Sequence, residues 1–285
     1  MINMKSDSTL TVPESPHLDA RLCEIVFTSP DVERLGAFYQ EALGYSGAIS
    51  AGVWTGELSA RRLSIREGAA NSVDRAIFAV ADEAQFRSLR ERLDAARTPF
   101  ESAASSLTFS DPDGNRMSFT LPDGPIAPRA EPMLPARLQH VVYASDQVPA
   151  MVAFYRDVIG FAPIDIVRDD TQDLTSVFLR CGPEHHSLAI FRAPRRRLDH
   201  ICYDVDDWNQ IRDWADRFAG RHIPIRWGPG RHGPGNNLFF FINDPDGNWL
   251  EFSAELERVE VPRAAGQWVH EERTLNSWGP AILRS

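Results

Sequence analysis

The sequence lacks the features that would place the protein in a membrane or on nucleic acid. None of its apolar runs approaches the roughly 20 residues that a membrane-spanning helix needs. Basic residues are in deficit, with 30 Lys and Arg against 40 Asp and Glu, and the net charge of −10 would repel a phosphate backbone. We therefore expect neither a membrane nor a nucleic-acid partner.

Cysteine is also scarce in this chain. The three cysteines, Cys23, Cys181 and Cys202, are an odd number and have no CxxC spacing. This pattern argues against a disulfide framework and against a thiolate zinc site. We expect a reducing, cytoplasmic setting in which Cys23 and Cys202 are small core residues. The rest of the composition, 43% hydrophobic and 25% charged over 285 residues, is typical of a globular protein of about two domains.

Two motifs occur twice, which indicates an internal duplication. The tripeptide Ala-Phe-Tyr at 37–39 returns at 153–155, and Asp-Pro-Asp-Gly-Asn at 111–115 returns at 244–248. The offset grows from 116 to 133 residues, so the second copy has longer loops. The sequence predicts an N-terminal extension, two tandem domains joined by a proline-rich linker, and a C-terminal tail, with limits at 1–19, 20–122, 123–135, 136–255 and 256–285.

Each domain is predicted to repeat one order of elements, a strand, a helix and then three strands. In the second domain, alternating β-branched and aromatic residues predict strands at 137–143, 177–180, 187–191, 198–205, 237–242 and 249–254. Apolar residues at helical spacing predict helices at 148–159 and 208–218. The predicted fold class is α+β, with four βαβββ modules and mostly antiparallel sheets.

Three polar residues stand inside these apolar strands. His140, His200 and Glu251 would be costly to bury unless something satisfies them. Two imidazoles and one carboxylate together form a facial triad with open positions, the ligand set typical of non-haem Fe(II) sites. The sequence therefore predicts that these three residues bind a metal.

The duplication supplies an internal control for this prediction. When the two copies are aligned, with offsets that grow from 116 to 125 and then 133 residues, the first domain has Glu24, Arg75 and Ser118 in place of the three predicted ligands. A guanidinium and a hydroxyl cannot rebuild the same ligand set. We therefore expect the metal only in the second domain.

The paired modules, the repeated motifs and the His140, His200 and Glu251 pattern resemble the vicinal oxygen chelate superfamily. Within it, residues 20–255 resemble the type I extradiol ring-cleaving dioxygenases. The resemblance implies Fe(II) at the three predicted ligands, with Mn(II) as the alternative, and O2 as co-substrate. It implies that a small aromatic diol of the catechol type is cleaved beside its two hydroxyls.

Two further segments carry this resemblance. His186, in the segment 184–190, stands 14 residues before His200, and His232, in the segment 230–236, stands 19 residues before Glu251. By resemblance, His186 is the catalytic acid/base, and His232 hydrogen-bonds a substrate oxygen. Arg231 has two open interpretations, a contact with an anionic substrate or a solvated side chain.

Three other histidines have no pattern that suggests a role. His185 is expected to be a bystander beside His186, and His222 and His270 are expected at the surface. The tail contains Trp268 and Trp278, which indicates that it packs against the rest of the protein. It could cover the mouth of the site or pad an interface in a homo-oligomer, and the sequence does not decide between these.

One position departs from the family pattern. Extradiol enzymes of this type usually have a tyrosine ten residues before the ligand glutamate, where this chain has Phe241. Phenylalanine has no donor or acceptor, so Phe241 would form an apolar wall that favours a substituted ring. Two alternatives stay open, another metal-dependent enzyme of the superfamily (an isomerase, lyase or thiol transferase) and a non-catalytic protein that binds an aromatic ligand.

Overall fold

The computed structural model describes residues 16–58, 61–122 and 133–282. Most of the predicted linker, residues 123–132, lies outside the described residues, as do residues 1–15 of the N-terminal extension and the last three residues. Within the described part, no helix is both long and apolar enough to cross a membrane.

Both halves show the predicted order of elements. The first half contains β1 (Ala20–Ser29), α1 (Val32–Leu43), β2 (Ser46–Ser50), β3 (Val53–Leu58), β4 (Arg61–Glu67), β5 (Ser72–Val80), α2 (Glu83–Ala95), β6 (Phe100–Ser102), β7 (Ser106–Ser110) and β8 (Arg116–Thr120). The second half contains β9 (Arg137–Ser145), α3 (Val148–Ala153), β10 (Ala162–Arg168), β11 (Leu174–Arg180), β12 (Leu188–Arg192), β13 (Arg197–Val205), α4 (Trp208–Ala219), β14 (Trp227–Arg231), β15 (Leu238–Asn243) and β16 (Trp249–Ala254). The tail adds β17 (Gly266–Val269) and α5 (Glu272–Leu275).

The strands form two sheets, one from each half. The first has the order β2-β3-β4-β1-β5-β8-β7-β6, and the second has the order β14-β15-β16-β13-β9-β12-β11-β10-β17. Most neighbouring strands are antiparallel, including the central pairs β1–β5 and β9–β13. The α+β fold class with mostly antiparallel sheets is confirmed. The tail also contributes to the second sheet, because β17 pairs with β10 and forms the edge of the sheet.

Two strands of the second half belong to the predicted order but had no predicted position, and one helix changes character at its end. β10 contains Pro163 and Asp165, and β14 contains two glycines and a proline, compositions that indicate a loop. The helix that begins at Val148 continues as a π-helical turn over Phe154–Ile159. It ends at Gly160, whose φ of 97° lies in the left-handed region that favours glycine.

The duplicated motifs hold the two halves together. Tyr39 of the first half donates to a carboxylate oxygen of Asp244 at 2.9 Å, and Tyr155 of the second half donates to Asp111 at 2.8 Å. Each helix tyrosine therefore docks on the Asp-Pro-Asp-Gly-Asn turn of the opposite half. Buried apolar residues of both halves form one continuous cluster, and the limits of the two domains stay a prediction.

Candidate metal centre

The second sheet brings the three predicted ligands side by side. His140 lies on β9, His200 on β13 and Glu251 on β16, which are consecutive strands in the order β16-β13-β9. Across the strands, Cys202 pairs with both His140 and Glu251, and β13 has a register shift just before His200. His200 stands two residues before Cys202, so both side chains share the face that carries His140 and Glu251.

The ligand atoms of these three residues converge on one point. The Nε2 atoms of His140 and His200 are 3.3 Å apart, and each lies 3.2 Å from Oε2 of Glu251. Ligand atoms at about 2.1 Å from a metal and at right angles to one another are about 3 Å apart. The three atoms therefore fit one face of an octahedron, with the opposite face left for other ligands.

Acceptors behind the two histidines fix their orientation. Nδ1 of His140 lies 2.5 Å from Oε1 of Gln139, whose Nε2 donates to the His186 carbonyl at 2.7 Å. Nδ1 of His200 lies 2.7 Å from a carboxylate oxygen of Asp199. Because both partners accept, each Nδ1 carries the proton and each Nε2 presents its lone pair to the site.

Charges inside the site favour an ionised Glu251. Burial raises the pKa of this carboxyl, but its contacts with His140, His200 and His232 outweigh burial and hold the pKa well below its usual value. Burial lowers the pKa of His140. Burial also opposes protonation of His200, but hydrogen bonds with Asp199 and Glu251 raise its pKa above the usual value. The site therefore offers an ionised carboxylate, the form of this side chain that binds a divalent cation.

Cys202 lies closer to the site than the sequence suggests. Its sulfur is within 4.8 Å of the ligand atoms of His140 and Glu251. Burial raises the pKa of this thiol well above its usual value, so the sulfur is a neutral and weak ligand. Cys202 is buried, as predicted for a core residue, whereas the same prediction for Cys23 is wrong because Cys23 is only half-buried; Cys181 is also buried.

The first half repeats this register without the ligand set. Val26 pairs with Arg75 on β5, as Val142 pairs with His200 on β13, and 116 residues separate Val26 from Val142. The predicted equivalence of Arg75 and His200 is therefore confirmed by strand pairing. Ser118 is buried and is hydrogen-bonded to Thr108 at 2.7 Å, so its hydroxyl is engaged within the first sheet.

A cavity opens beside the three predicted ligands. His186, His232 and Phe241 line it together with them. The His186 ring lies 4.3 Å from that of His140, and the Phe241 ring lies 5.2 Å from that of His200, with both distances taken between ring centroids. Nε2 of His232 is 3.4 Å from Oε1 of Glu251.

The cavity and its ligand set can be compared with known proteins. Residues 137–252 match the Glyoxalase/Bleomycin resistance protein/Dioxygenase superfamily. The chain carries a domain of this superfamily.

Several proteins that are similar to this chain are named as extradiol dioxygenases. The chain is 29% identical over 230 residues to metapyrocatechase 2 of Cupriavidus necator, a match that covers 70% of each chain. It is 27% identical over 227 residues to an iron-dependent extradiol dioxygenase of Rhodococcus jostii, covering 70% of this chain and 74% of the relative. Among solved structures, it resembles a Mn(II)-bound glyoxalase of Novosphingobium aromaticivorans with a TM-score of 0.79, 26% identity and 91% of each chain covered.

The segment that contains His232 makes specific contacts, although its glycines and proline indicate a flexible loop. His232 follows β14 directly, and its half-buried ring stacks on Phe239 with centroids 3.8 Å apart and planes 6° apart. Nδ1 of His232 donates to the carbonyl of Leu275 in the tail. The tail therefore sets the orientation of His232, a contact that sequence spacing does not reveal.

Arg231 is engaged away from the cavity. Its guanidinium donates to the carbonyl of Asn236 and to a carboxylate oxygen of Glu255, both at 2.7 Å. It also lies over the ring of Trp278, 5.5 Å from the centroid. These contacts tie the β14 end to the tail, so the position of Arg231 does not support the predicted contact with a substrate.

Two of the histidines expected to have no role lie in or near the site. His185 is fully buried and hydrogen-bonds His186 and Asp165, so it is not a bystander in the structure. His270 is half-buried and lines the cavity, so the expected surface position is wrong. Neither has a sequence signal, because the tail and β10 reach the cavity only through tertiary contacts. His222 is exposed, as predicted.

Proposed function

We propose that the protein is an extradiol dioxygenase that uses Fe(II) and O2 to cleave a substituted catechol-type ring. The observation that carries the proposal is the ligand set of His140, His200 and Glu251 at the wall of a cavity that two further histidines also line. A pocket that only binds an aromatic ligand would not need histidines buried against one another. The similarity to named extradiol dioxygenases supports the same kind of reaction.

The donor set suits a divalent first-row metal. Two Nε2 lone pairs and one carboxylate would hold Fe(II), with Mn(II) as the alternative, and would leave one face open. When bound, Fe(II) supplies redox chemistry toward O2 and open positions for two vicinal oxygens. Both an iron-dependent relative and a Mn(II)-bound one are similar to this chain, so the choice of metal is part of the proposal.

His186 and His232 would manage the protons of the substrate. His186 would take a proton from a catechol hydroxyl and later return one to an oxygen atom that comes from O2, which a neutral imidazole can do. His232 commits its Nδ1–H to the Leu275 carbonyl, so its Nε2 would accept a hydrogen bond from a substrate hydroxyl. The two roles differ because different neighbours hold the two rings.

The apolar side chains on the other walls of the cavity would determine which ring substituents the substrate can carry. Phe241 is fully buried and stacks on Trp227, with ring centroids 5.2 Å apart and planes 14° apart. Further apolar side chains line the cavity, namely Val142, Ala144, Phe178, Phe191, Leu275 and Ile282. An aromatic diol with an apolar substituent would bury more of this surface than unsubstituted catechol.

The proposal is tested by anaerobic reconstitution with Fe(II), followed by a panel of substituted catechols in air. We expect oxygen consumption together with a yellow ring-fission product. Zinc-loaded protein is the matched control, because Zn(II) has no redox chemistry and should give neither signal. A fully iron-loaded protein that consumes no oxygen with any member of the panel would refute the proposed activity.

A further inference from the structure

Three buried polar side chains form a line that leads away from the cavity. Nδ1 of His186 lies 3.0 Å from Nδ1 of His185, and Nε2 of His185 lies 3.0 Å from Oδ2 of Asp165. All three residues are at most 3% exposed. Polar groups buried this deeply are costly unless their contacts compensate, so the line requires a physical explanation.

The far end of the line is a carboxylate with fixed partners. Oδ1 of Asp165 accepts from the Arg263 guanidinium and from the backbone N–H of Gly266, both at 3.1 Å. Burial would raise the pKa of Asp165, but His185 and Arg263 outweigh it and hold the pKa below its usual value. Only Oδ2 is left for His185, and an ionised carboxylate can only accept.

The hydrogen-bond roles then follow in order along the line. Since Asp165 accepts, Nε2 of His185 carries a proton, and in neutral His185 the Nδ1 atom has the lone pair. Nδ1 of His186 must therefore be the donor between the two rings. The second nitrogen of His186, Nε2, is left with a lone pair on the ring edge that faces away from His185.

We propose that Asp165 and His185 are positioning residues that set the tautomer of His186 and keep its Nε2 as the free base toward the cavity. The inference deepens the proposed function and rests on it, because it assigns the residues that prepare the acid/base group. It does not require Asp165 or His185 to touch the substrate.

The same line also gives the substrate proton a place to go. When Nε2 of His186 takes a proton from a catechol hydroxyl, Nδ1 of His186 can pass its own proton to Nδ1 of His185. His186 then stays neutral with Nε2–H as an acid, and the positive charge rests on His185 beside the Asp165 carboxylate. Return of the proton along the same bond restores the starting state, so charge and protons balance over the cycle.

The first test uses the wild-type protein and needs no turnover. In the Zn(II)-loaded, diamagnetic protein, long-range ¹H–¹⁵N correlation spectra identify which nitrogen of each histidine carries the proton. We expect His185 to be protonated at Nε2 and His186 at Nδ1. A His186 that is protonated at Nε2 in the resting protein would overturn the proposal.

The second test is Asp165→Asn, which preserves the shape of the side chain. The amide oxygen should face Arg263 and Gly266, because both donate, and the NH2 group should then face His185. His185 would have to accept at Nε2 and donate from Nδ1, so His186 would present Nε2–H instead of a lone pair. We expect kcat of the iron-loaded enzyme to fall by about 10²- to 10⁴-fold, with the inverted tautomer in the spectra.

Metal content and KM should stay within about twofold of wild type, since neither depends on the tautomer of His186. The matched control is Asp157→Asn, which removes an aspartate paired with Arg156 on the outer surface of the same half and should leave kcat unchanged. An Asp165→Asn variant with wild-type kcat would refute the positioning role. Failure of the proposed function is distinguishable, because it would abolish turnover in the wild type and leave the tautomer spectra as predicted.

Discussion

At the scale of single residues, the two halves of the chain differ at three positions that share the same strand register. The second half has His140, His200 and Glu251, and the first half has Glu24, Arg75 and Ser118. The backbone is duplicated at these positions, so the difference in chemistry lies in the side chains alone. This comparison provides matched controls within one chain.

His140→Ala, His200→Ala and Glu251→Ala should each lose the metal, because two remaining donors cannot complete the facial set. We expect a fall from about one divalent ion per chain to a small fraction of that value. Elemental analysis of protein purified without chelators would measure it. Arg75→Ala and Ser118→Ala, the counterparts in the first half, should retain wild-type metal content. Full occupancy in all three ligand variants would exclude this metal site.

The effect of Phe241→Tyr on kcat/KM should show whether the substrate places an oxygen or an apolar group against the wall beside His200. Where the new hydroxyl meets an unpaired substrate oxygen, the gain is about 0.5–1.5 kcal/mol, or roughly two- to tenfold in kcat/KM. Where it meets an apolar substituent, the buried hydroxyl costs about 1–3 kcal/mol. We expect a gain with unsubstituted catechol and a loss with the preferred substituted ring. Identical ratios of kcat/KM for the two substrates would contradict the proposed apolar wall.

At the scale of elements, the strand β14 and the tail decide the shape of the cavity. His232 lies at the end of β14, and Leu275 of α5 supplies the acceptor for its Nδ1–H. Gly233 donates to the Thr274 carbonyl at 2.9 Å, so a second backbone contact joins the same two elements. The tail therefore lines the cavity, a position that corresponds to the first of the two possibilities left open by the sequence, the mouth of the site.

A chain that ends after His270 tests the contribution of α5. It keeps β17, Asp165 and the three predicted ligands but loses the Leu275 carbonyl and the cavity lining from Thr274, Leu275 and Ile282. We expect metal content within about twofold of wild type and a rise in KM of about tenfold, because His232 loses its anchor and the apolar wall is incomplete. Steady-state kinetics with elemental analysis separates the two effects. An unchanged KM would show that the tail does not shape the substrate site.

At the scale of the whole molecule, the helix motif of each half contacts the turn motif of the other half. The Tyr39–Asp244 and Tyr155–Asp111 hydrogen bonds are equivalent contacts made in opposite directions. Each aspartate also accepts hydrogen bonds from backbone N–H groups of its own turn, and the tyrosine hydroxyl supplies one more donor to the same carboxylate. Both copies of each motif therefore take part in the contact between the halves.

Tyr39→Phe and Tyr155→Phe should each destabilise the fold without changing the metal site. Each leaves a buried carboxylate with one acceptor position unfilled, at a cost of about 1–3 kcal/mol in the free energy of unfolding. Tyr143→Phe is the matched control, because its buried hydroxyl donates to the weak acceptor Met117 Sδ at 3.7 Å and not, among the described residues, to a carboxylate. Chemical denaturation of the three variants would measure the difference. A loss as large for Tyr143→Phe as for the other two would show that the carboxylate contacts are not special.

The sequence by itself indicated the order of elements, contained the repeated motifs and predicted three residues that would hold a metal. Helical and strand periodicity are local properties, and the repeat allowed each position to be checked against its counterpart. Strands β10 and β14 escaped prediction because proline, glycine and aspartate in them indicate loops, whereas pairing with neighbouring strands outweighs that local preference.

Only the tertiary structure decided which residues hold the histidines of the site in their orientations. Asp165 and His185 are separated by 20 residues, and His232 and Leu275 by 43, with no motif that links them. Strand register and the return of the tail to the edge of the second sheet bring these groups within hydrogen-bond distance. Register is set by packing across the whole sheet, so the partners that orient the acid/base histidine and His232 cannot be obtained from spacing along the chain.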